Sequence, residues 1–257
     1  DAPLELAEDL GYLAPVKLKW VGNTTSGPQD IQATVTGDVD FGGAFNGSIV
    51  KLAAAHAPVK AVLSYVGADK DTNSGLFVLQ GSPIKTAHDL VGRKIGVNTP
   101  GAYEQYLTTT WLEKSGVSKA DIQKITFVAA PPVNLEQLLK QKQLDAVFLE
   151  DIIKDKLIAE GGATLLVTDY QLLGSFGYAS YIFTDRFIQQ NPNTVRKFVD
   201  GTARAIEWAQ KTPRDEVVAR LEKIIQARHR NEDKTIVRYW KSAGVGSTGG
   251  IIHSRAF

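Results

Sequence analysis

The sequence predicts an α/β fold in which strands alternate with helices around a largely parallel sheet. Two observations carry this expectation. Apolar residues recur alternately with strand and helix spacing along most of the 257-residue chain. The chain also resembles itself. The stretch from Pro28 to Lys51 falls on the stretch from Val133 to Lys156, with Gln32 on Gln137, Asp40 on Asp145 and Lys51 on Lys156, each pair 105 residues apart. Both copies read as a helix, an Asp-led strand (GDVDFGG and KQLDAVFLE), a loop and a second helix. Either any two helix–strand units look alike, or the protein has two halves of one layout with a ligand held between them.

In chain order, a short helix is expected over Ala2–Leu10, stopped by Gly11, and VKLKWV at Val16–Val21 alternates like a strand. Pro28–Thr36 reads as a helix, Val39–Gly43 as a short buried strand, and Ser48–His56 as an Ala-rich helix with Ser48 as its N-cap. Strands follow at Val59–Val66 and Leu76–Gln80, then a helix near Ala87–Val91 and a strand at Lys94–Val97. Ala102–Ser115, ended by Gly116, Leu135–Lys142 and Ile152–Glu160 are helical, between strands at Ile125–Val128, Ala146–Leu149 and Leu165–Val167. After a strand at Tyr178–Phe183 the chain turns helical over Pro192–Gln210, Pro213–Arg228 and Asp233–Ser242.

Charge and composition narrow the function. With 29 Lys+Arg against 28 Asp+Glu, the net charge of +1 argues against a nucleic-acid partner, which demands a basic excess on at least one face. Zero cysteines exclude disulfides, thiolate metal sites and thiol nucleophiles, and fit an oxidising compartment. Zero methionines mean that Asp1 is not the translated start, so a removed leader or a trimmed start is expected. No apolar run approaches the ~20 residues needed to cross a bilayer, and the chain reads as soluble. His56, His88, His229 and His253 are isolated, without metal-ligand spacing, and neither GxSxG nor a P-loop occurs. No cofactor or metal is expected, and binding is favoured over catalysis.

The strand-to-helix turns are richer. Thr25-Ser26-Gly27, Phe45-Asn46-Gly47-Ser48, Thr99-Pro100-Gly101-Ala102-Tyr103 and Pro132-Val133-Asn134 carry small or polar residues at helix starts. First-turn N–H groups lack intrahelical acceptors and carry partial positive charge, so several of them converging would bind a small oxyanion without net basicity. Ser, Asn and Gly are equally good caps and turn formers, which is the alternative reading. Glu150-Asp151 after LDAVFL would favour a ligand with an ammonium or other donor group if a carboxylate reached a cleft; Asp151 as the N-cap of the next helix is the other possibility. Tyr103 and Tyr178 offer apolar walls with a hydroxyl, or core packing.

The stretches APLELAEDLGYL, SGPQDIQATVTGDVDFGGAFNGSIVKLAAAHAPVKAV, GSPIKTAHDLVGRKIGVNTPGA and FTDRFIQQNPNTVRKFVDGTARAIEWAQKTP together resemble extracytoplasmic solute-binding proteins of ABC importers. The resemblance is strongest to the sulfonate, taurine and nitrate branch, whose relatives also take pyrimidine precursors. It implies a two-lobed periplasmic binding protein fold with a ligand cleft between lobes. Lobe 1 would be residues 1–70 plus 182–257 and lobe 2 residues 75–178, with crossings near 68–74 and 177–184. Ligand contacts are implied at Ser26, Gly27, Asn46, Gly47, Ser48, Gly101, Ala102 and Tyr103; Asn134, Glu150, Asp151 and Tyr178 join them from the residues themselves. A sulfonate head group is expected at the N–H groups of Gly47–Ser48 and Gly101–Ala102.

The implied role is a monomeric, exported, non-enzymatic protein that closes on a small organic anion by hinge motion and delivers it to an ABC permease. Binding of a pyrimidine precursor or another nitrogenous molecule is the alternative. A synthase of the pyrimidine type is disfavoured by the absence of Cys and the scattered His. The resemblance departs at both ends. Relatives have a strand and a Gly- or Pro-containing loop before APL, making Asp1 the expected remnant of a binding loop, and a further helix after the equivalent of Phe257.

Overall fold

The computed structural model describes residues 2–22, 26–230 and 232–252. Asp1, Thr25 and His253, named above, lie outside the described residues. The chain divides into two compact units, one made of Asp1–Thr72 with Ser175–Phe257, the other of Asn73–Gly174.

The first unit opens with α1 (Ala2–Asp9), α2 (Gly27–Thr36), β1 (Phe41–Phe45), α3 (Asn46–Ala54) and β2 (Val59–Ala68). The second unit contributes β3 (Gly75–Leu79), a 3-10 turn at Ala87–Leu90, β4 (Lys94–Val97), α4 (Tyr103–Lys114) and α5 (Lys119–Ile122). It continues with β5 (Thr126–Ala129), α6 (Pro132–Lys140), β6 (Ala146–Leu149), α7 (Asp151–Glu160), β7 (Ala163–Thr168) and α8 (Asp169–Leu173). The chain then returns to the first unit through β8 (Phe176–Thr184), α9 (Asp185–Gln190), α10 (Pro192–Lys211) and α11 (Arg214–Arg228).

In the first unit the sheet order is β1-β8-β2, and both pairings are antiparallel. The expectation of mostly parallel sheets fails here: the central strand is supplied by the returning chain, whose direction local periodicity does not encode. Residues of β8 alternate between two cores, as the strand's two-residue period requires. Tyr181 and Phe183 pack with Leu4, Leu63, Val195, Phe198 and Ile206, whereas Ile182 packs with Ile31, Ala44, Ile49 and Val59. Helix α10 starts with Pro at its first turn and buries Val195, Phe198, Thr202, Ala205, Ile206 and Ala209, a stripe at helical spacing. Each fully buried large apolar side chain contributes about 1.5–3 kcal/mol.

The second unit's sheet has order β5-β4-β6-β3-β7 and is mixed. Strand β4 runs parallel to β5 and β6, while β3 is antiparallel to β6 and β7. Phe77, Leu135, Leu139, Leu144, Val147, Leu149 and Leu157 fill one core cluster.

The internal similarity is structural. Adding 105 to α2, β1 and α3 lands on α6, β6 and α7 within one or two residues. In each copy the strand's antiparallel partner is the strand with which the chain enters its unit, β8 after Gly174 for β1 and β3 after Thr72 for β6.

Other expectations need correction. Val16–Val21 forms no strand, although burial alternates along it: Leu18 and Trp20 pack on the core while Lys17 and Lys19 are exposed. The extended segment has the right pattern, but its Leu18 N–H is bound by the Glu8 carboxylate at 3.1 Å instead of a ladder. Ala87–Leu90 is a 3-10 turn closed by a Thr86/Asp89 capping box. The helix expected over 233–242 is a 3-10 segment at Lys234–Tyr239. Ser48 is not an N-cap, because α3 begins two residues earlier with Phe45 in the cap position.

Candidate functional site

In the first unit, two helix starts gather at the C-terminal end of β1. Ser26 takes the N-cap position of α2, and its carbonyl accepts the N–H groups of Gln29 at 3.0 Å and Asp30 at 3.2 Å. Gly27 lies directly on β1: a Cβ there would stand 3.2 Å from Ala44 Cα, so glycine lets the helix start touch the strand. Asn46, Gly47 and Ser48 form the first turn of α3 straight after β1.

Asn46 is buried and ties that turn to β8. Its Nδ2 donates to Gly177 O at 3.2 Å, and its Oδ1 accepts from Ser180 Oγ at 2.8 Å. Tyr178 lies between those two contacts, buried in β8 with its ring 6.0 Å from that of Phe176. Asp30, which the sequence reading missed, is half-buried beside them. Burial drives its carboxyl from 3.8 up to about 6, against the opposing hydrogen bond from the Gly43 backbone. An acid in the first turn of a helix reads from sequence as solvated, and nothing local signals its burial.

In the second unit β5, β4 and β6 run parallel, so the helix starts that follow them emerge at one end of the sheet. After β4, Gly101 adopts a left-handed φ of +79°. Its N–H donates to Gln105 Oε1 at 2.7 Å, and that of Ala102 to Thr99 O at 3.2 Å. Both donors expected to meet an anion are therefore engaged within the turn, and a ligand would have to displace the exposed Gln105 contact. After β5, Asn134 is exposed in the first turn of α6, its N–H closing on Pro131 O at 2.8 Å.

After β6, Glu150 occupies the N-cap position of α7 without a side-chain capping bond, and Asp151 begins the helix with a positive φ of 43°. Asp151 is thus a first-turn residue, not the cap. Its N–H donates to Ser74 Oγ at 3.3 Å.

These starts are stitched together by acids. Tyr103, buried, donates its hydroxyl to Asp169 Oδ2 at 2.6 Å and sets its ring edge-on to Phe148 at 6.4 Å. Asp169 also accepts the N–H groups of Ser74 at 2.9 Å and Tyr170 at 2.7 Å. Glu104, only 2% exposed, accepts the N–H of Asn98. Burial first, then the neighbouring Glu150 charge, raises Glu104 well above the ordinary range. Burial raises Glu150 to about 7, opposed by Glu104 and reinforced by the Asp169 charge.

Neither Glu104 nor Asp169 was foreseen. The Thr168-x-x-Gln171 capping box marks the start of α8, but burial of its Asp169 is set by tertiary packing. Among the described residues no group of His, Cys, Asp or Glu is arranged to hold a metal ion, and no helix is long and apolar enough to cross a membrane.

The family model described as NMT1/THI5 like matches residues 2–216. A protein of Escherichia coli described as a putative aliphatic sulfonates-binding protein is 31% identical over 180 residues, covering 67% of this chain; the chain spans about half, 54%, of that relative's length. The fold matches the alkanesulfonate-binding protein SsuA of Xanthomonas axonopodis pv. citri bound to MOPS, with TM-score 0.71, 24% identity, and coverage of 92% of this chain and 78% of that one. It also matches the periplasmic nitrate-binding protein NrtA of Synechocystis, with TM-score 0.71, 14% identity, and coverage of 93% and 65%.

Proposed function

The chain belongs to the NMT1/THI5-like family, and from that premise we propose that it is an extracytoplasmic solute-binding protein that captures a small organic anion, sulfonate- or taurine-like, and delivers it to an ABC permease. The observation that carries the reading is the duplicated helix–strand–helix unit. In each copy two helix starts lie at one end of a sheet, those of α2 and α3 at the C-terminal end of β1, and those of α6 and α7 after the parallel strands β5 and β6. In the ligand-bound state the two units close by a hinge, and the ligand stabilises closure by its greater affinity for the closed form. The contacts we assign are Ser26, Gly27, the Gly47–Ser48 turn, Gly101, Ala102 and Glu150. Asn46, Tyr103 and Tyr178 support them from below through the bonds and packing described. A micromolar site requires about −8 kcal/mol, which a few charge-assisted bonds of about 1.5–3 kcal/mol each supply after association costs.

A specific observation supports a second reading. Asp30, Glu104 and Glu150 are acids set beside the proposed contacts, and they suit a ligand carrying an ammonium or another nitrogen donor as well as, or in place of, an anion. A thermal-shift panel of taurine, alkanesulfonates, nitrate, aromatic acids and pyrimidines tests both. A ligand at 100 times its Kd stabilises by about 2.7 kcal/mol. A response to sulfonates supports the first reading, a response confined to pyrimidines or amines the second, and a flat panel rejects both.

A further inference from the structure

The chain leaves the first unit after Thr72 and re-enters it at Ser175. On the first-unit side, both crossings are fixed by hydrogen bonds. Asp69 Oδ1 accepts the N–H groups of Asp71 at 2.8 Å and Thr72 at 2.7 Å, and the Asp69 N–H donates to Thr72 O at 2.7 Å, closing a tight turn. Ser175, the first residue to return, donates its hydroxyl to Ala68 O at 3.0 Å, so the two crossings are tied to each other. The second unit takes hold of the chain at once. Asn73 Oδ1 accepts from Lys154 Nζ at 2.7 Å, the Ser74 N–H donates to Asp169 Oδ1 at 2.9 Å, and the Gly174 N–H donates to Tyr170 O at 2.9 Å.

A segment far along the sequence lies against both crossings. Residues 242–250 carry no α-helix or strand. Ser242 Oγ donates to Asp69 Oδ2 at 2.9 Å, accepts the Gly244 N–H at 3.2 Å, and stands 2.6 Å from Thr72 Oγ1. A serine hydroxyl has one proton; with that proton on Asp69, Thr72 is the donor of the third bond, and the Ser242 hydroxyl is fully used. Close backbone approach follows at glycines. Gly244, at φ +66°, lies where a Cβ would stand 2.9 Å from Gly67 O, and a Cβ on Gly246 would stand 2.8 Å from Ser175 Oγ. The far end is held by Gln210 of α10, whose Nε2 donates to Val245 O and Ser247 O, each at 3.0 Å, and whose Oε1 accepts the Gly249 N–H at 3.2 Å. Val245 itself is buried with Tyr181, Phe198 and Ile206. Beside Ser242 the segment lines a cavity of about 340 Å³ with Asp71, Gln210 and Trp240, so at this end hydrogen bonds do what packing does at Val245.

We propose that residues 242–250 are a strap that clamps both crossings onto the first unit, with Ser242 as its positioning residue, so that the chain bends between the units only at the Thr72–Asn73 and Gly174–Ser175 junctions. Hinges absorb motion in a few residues at the ends of elements, and the bonds above flank these two junctions from either side. The strap works through the crossings alone and is independent of which ligand the protein takes.

Amide hydrogen exchange tests the strap. In the wild type the N–H groups of Asp69, Asp71, Thr72 and Gly244 are expected to exchange about tenfold or more below their intrinsic rates. Ser242→Ala is expected to lose that protection at all four while residues 179–183 of β8 keep theirs, and Ser242→Thr, which restores the hydroxyl, to recover it. Exchange at intrinsic rates in the wild type, an Ala variant protected like the wild type, a Thr variant that recovers nothing, or a loss shared equally by 179–183 overturns the proposal. Because the chain has no cysteine, spin labels can be placed at Lys119→Cys and Lys223→Cys, exposed positions with one in each unit. Ser242→Ala is expected to broaden the distribution of distances between the labels, and an unchanged width overturns the confinement of bending to the two junctions.

Discussion

Tyr103 donates its hydroxyl to Asp169 at 2.6 Å, and this bond pins the first turn of α4 to the first turn of α8. Asp169 is fully buried, so each of its partners offsets the cost of dehydrating a carboxylate. Tyr103→Phe keeps the ring and its edge-on contact with Phe148 but removes one donor. The expected cost is about 1–3 kcal/mol, read as a shift of the urea midpoint with an unchanged slope. A loss below about 0.3 kcal/mol would show that Asp169 does not need the bond.

The Asn46 side chain performs the equivalent task in the first unit, serving Gly177 O and Ser180 Oγ at once. Ser180 is fully buried. Asn46→Ala leaves both groups short of a partner and is expected to cost about 1–3 kcal/mol. Ser180→Ala in the same background should recover part of that loss, because the orphaned hydroxyl is then gone too; a double-mutant cycle measures the coupling.

Gly67 stands at a register shift between β2 and β8, where a Cβ would meet Phe176 O at 2.4 Å and Gly244 O at 2.7 Å. Both are backbone atoms and do not yield as a side-chain tip would. Gly67→Ala should therefore destabilise the first unit by about 1–3 kcal/mol, whereas the same change at Gly22, with nothing within 4 Å, should be nearly silent.

Burial raises Asp30 to about 6, against 3.8 when solvated. The folded state thus holds the proton more tightly than the unfolded chain. The stability this contributes is complete below pH 3.8 and is lost as pH rises through about 6. Comparison of Asp30→Asn with the wild type by denaturant melts between those values should isolate a slope of up to about 1.4 kcal/mol per pH unit, carried by the wild type alone. Parallel profiles would mean that Asp30 is solvated.

Much of the α/β pattern was legible because local signals and packing agreed. Ala146–Leu149 is a buried apolar run after an Asp, and the strand occupies those four residues. The correspondence between Pro28–Lys51 and Val133–Lys156 was visible as spaced identities, and the folded elements repeat at the same offset. What escaped depended on distant chain. Leu18 and Trp20 alternate as in a strand, yet strand identity needs a ladder partner, and none is written into six residues. Strand direction in the first unit is set by β8, more than a hundred residues from its partners β1 and β2.

The proposed contact loops were legible as small and polar turns, but their internal bonding was not: Gln105 takes the Gly101 N–H, a bond specified by side-chain rotamer. Glu104 and Asp169 look like ordinary first-turn acids until the packing of α4, α7 and α8 buries them.

Calorimetric titration of the protein with taurine and a simple alkanesulfonate tests the central reading most directly. One site per chain with a Kd near or below about 1 μM, corresponding to about −8 kcal/mol, is expected for at least one sulfonate. Serine-to-bulk substitution at Ser48, in the turn assigned to the head group, should weaken it at least tenfold while leaving the thermal midpoint of the free protein within a few degrees. Absence of binding heat or of competition for every sulfonate, at protein concentrations that would reveal a Kd of about 1 mM, contradicts the account.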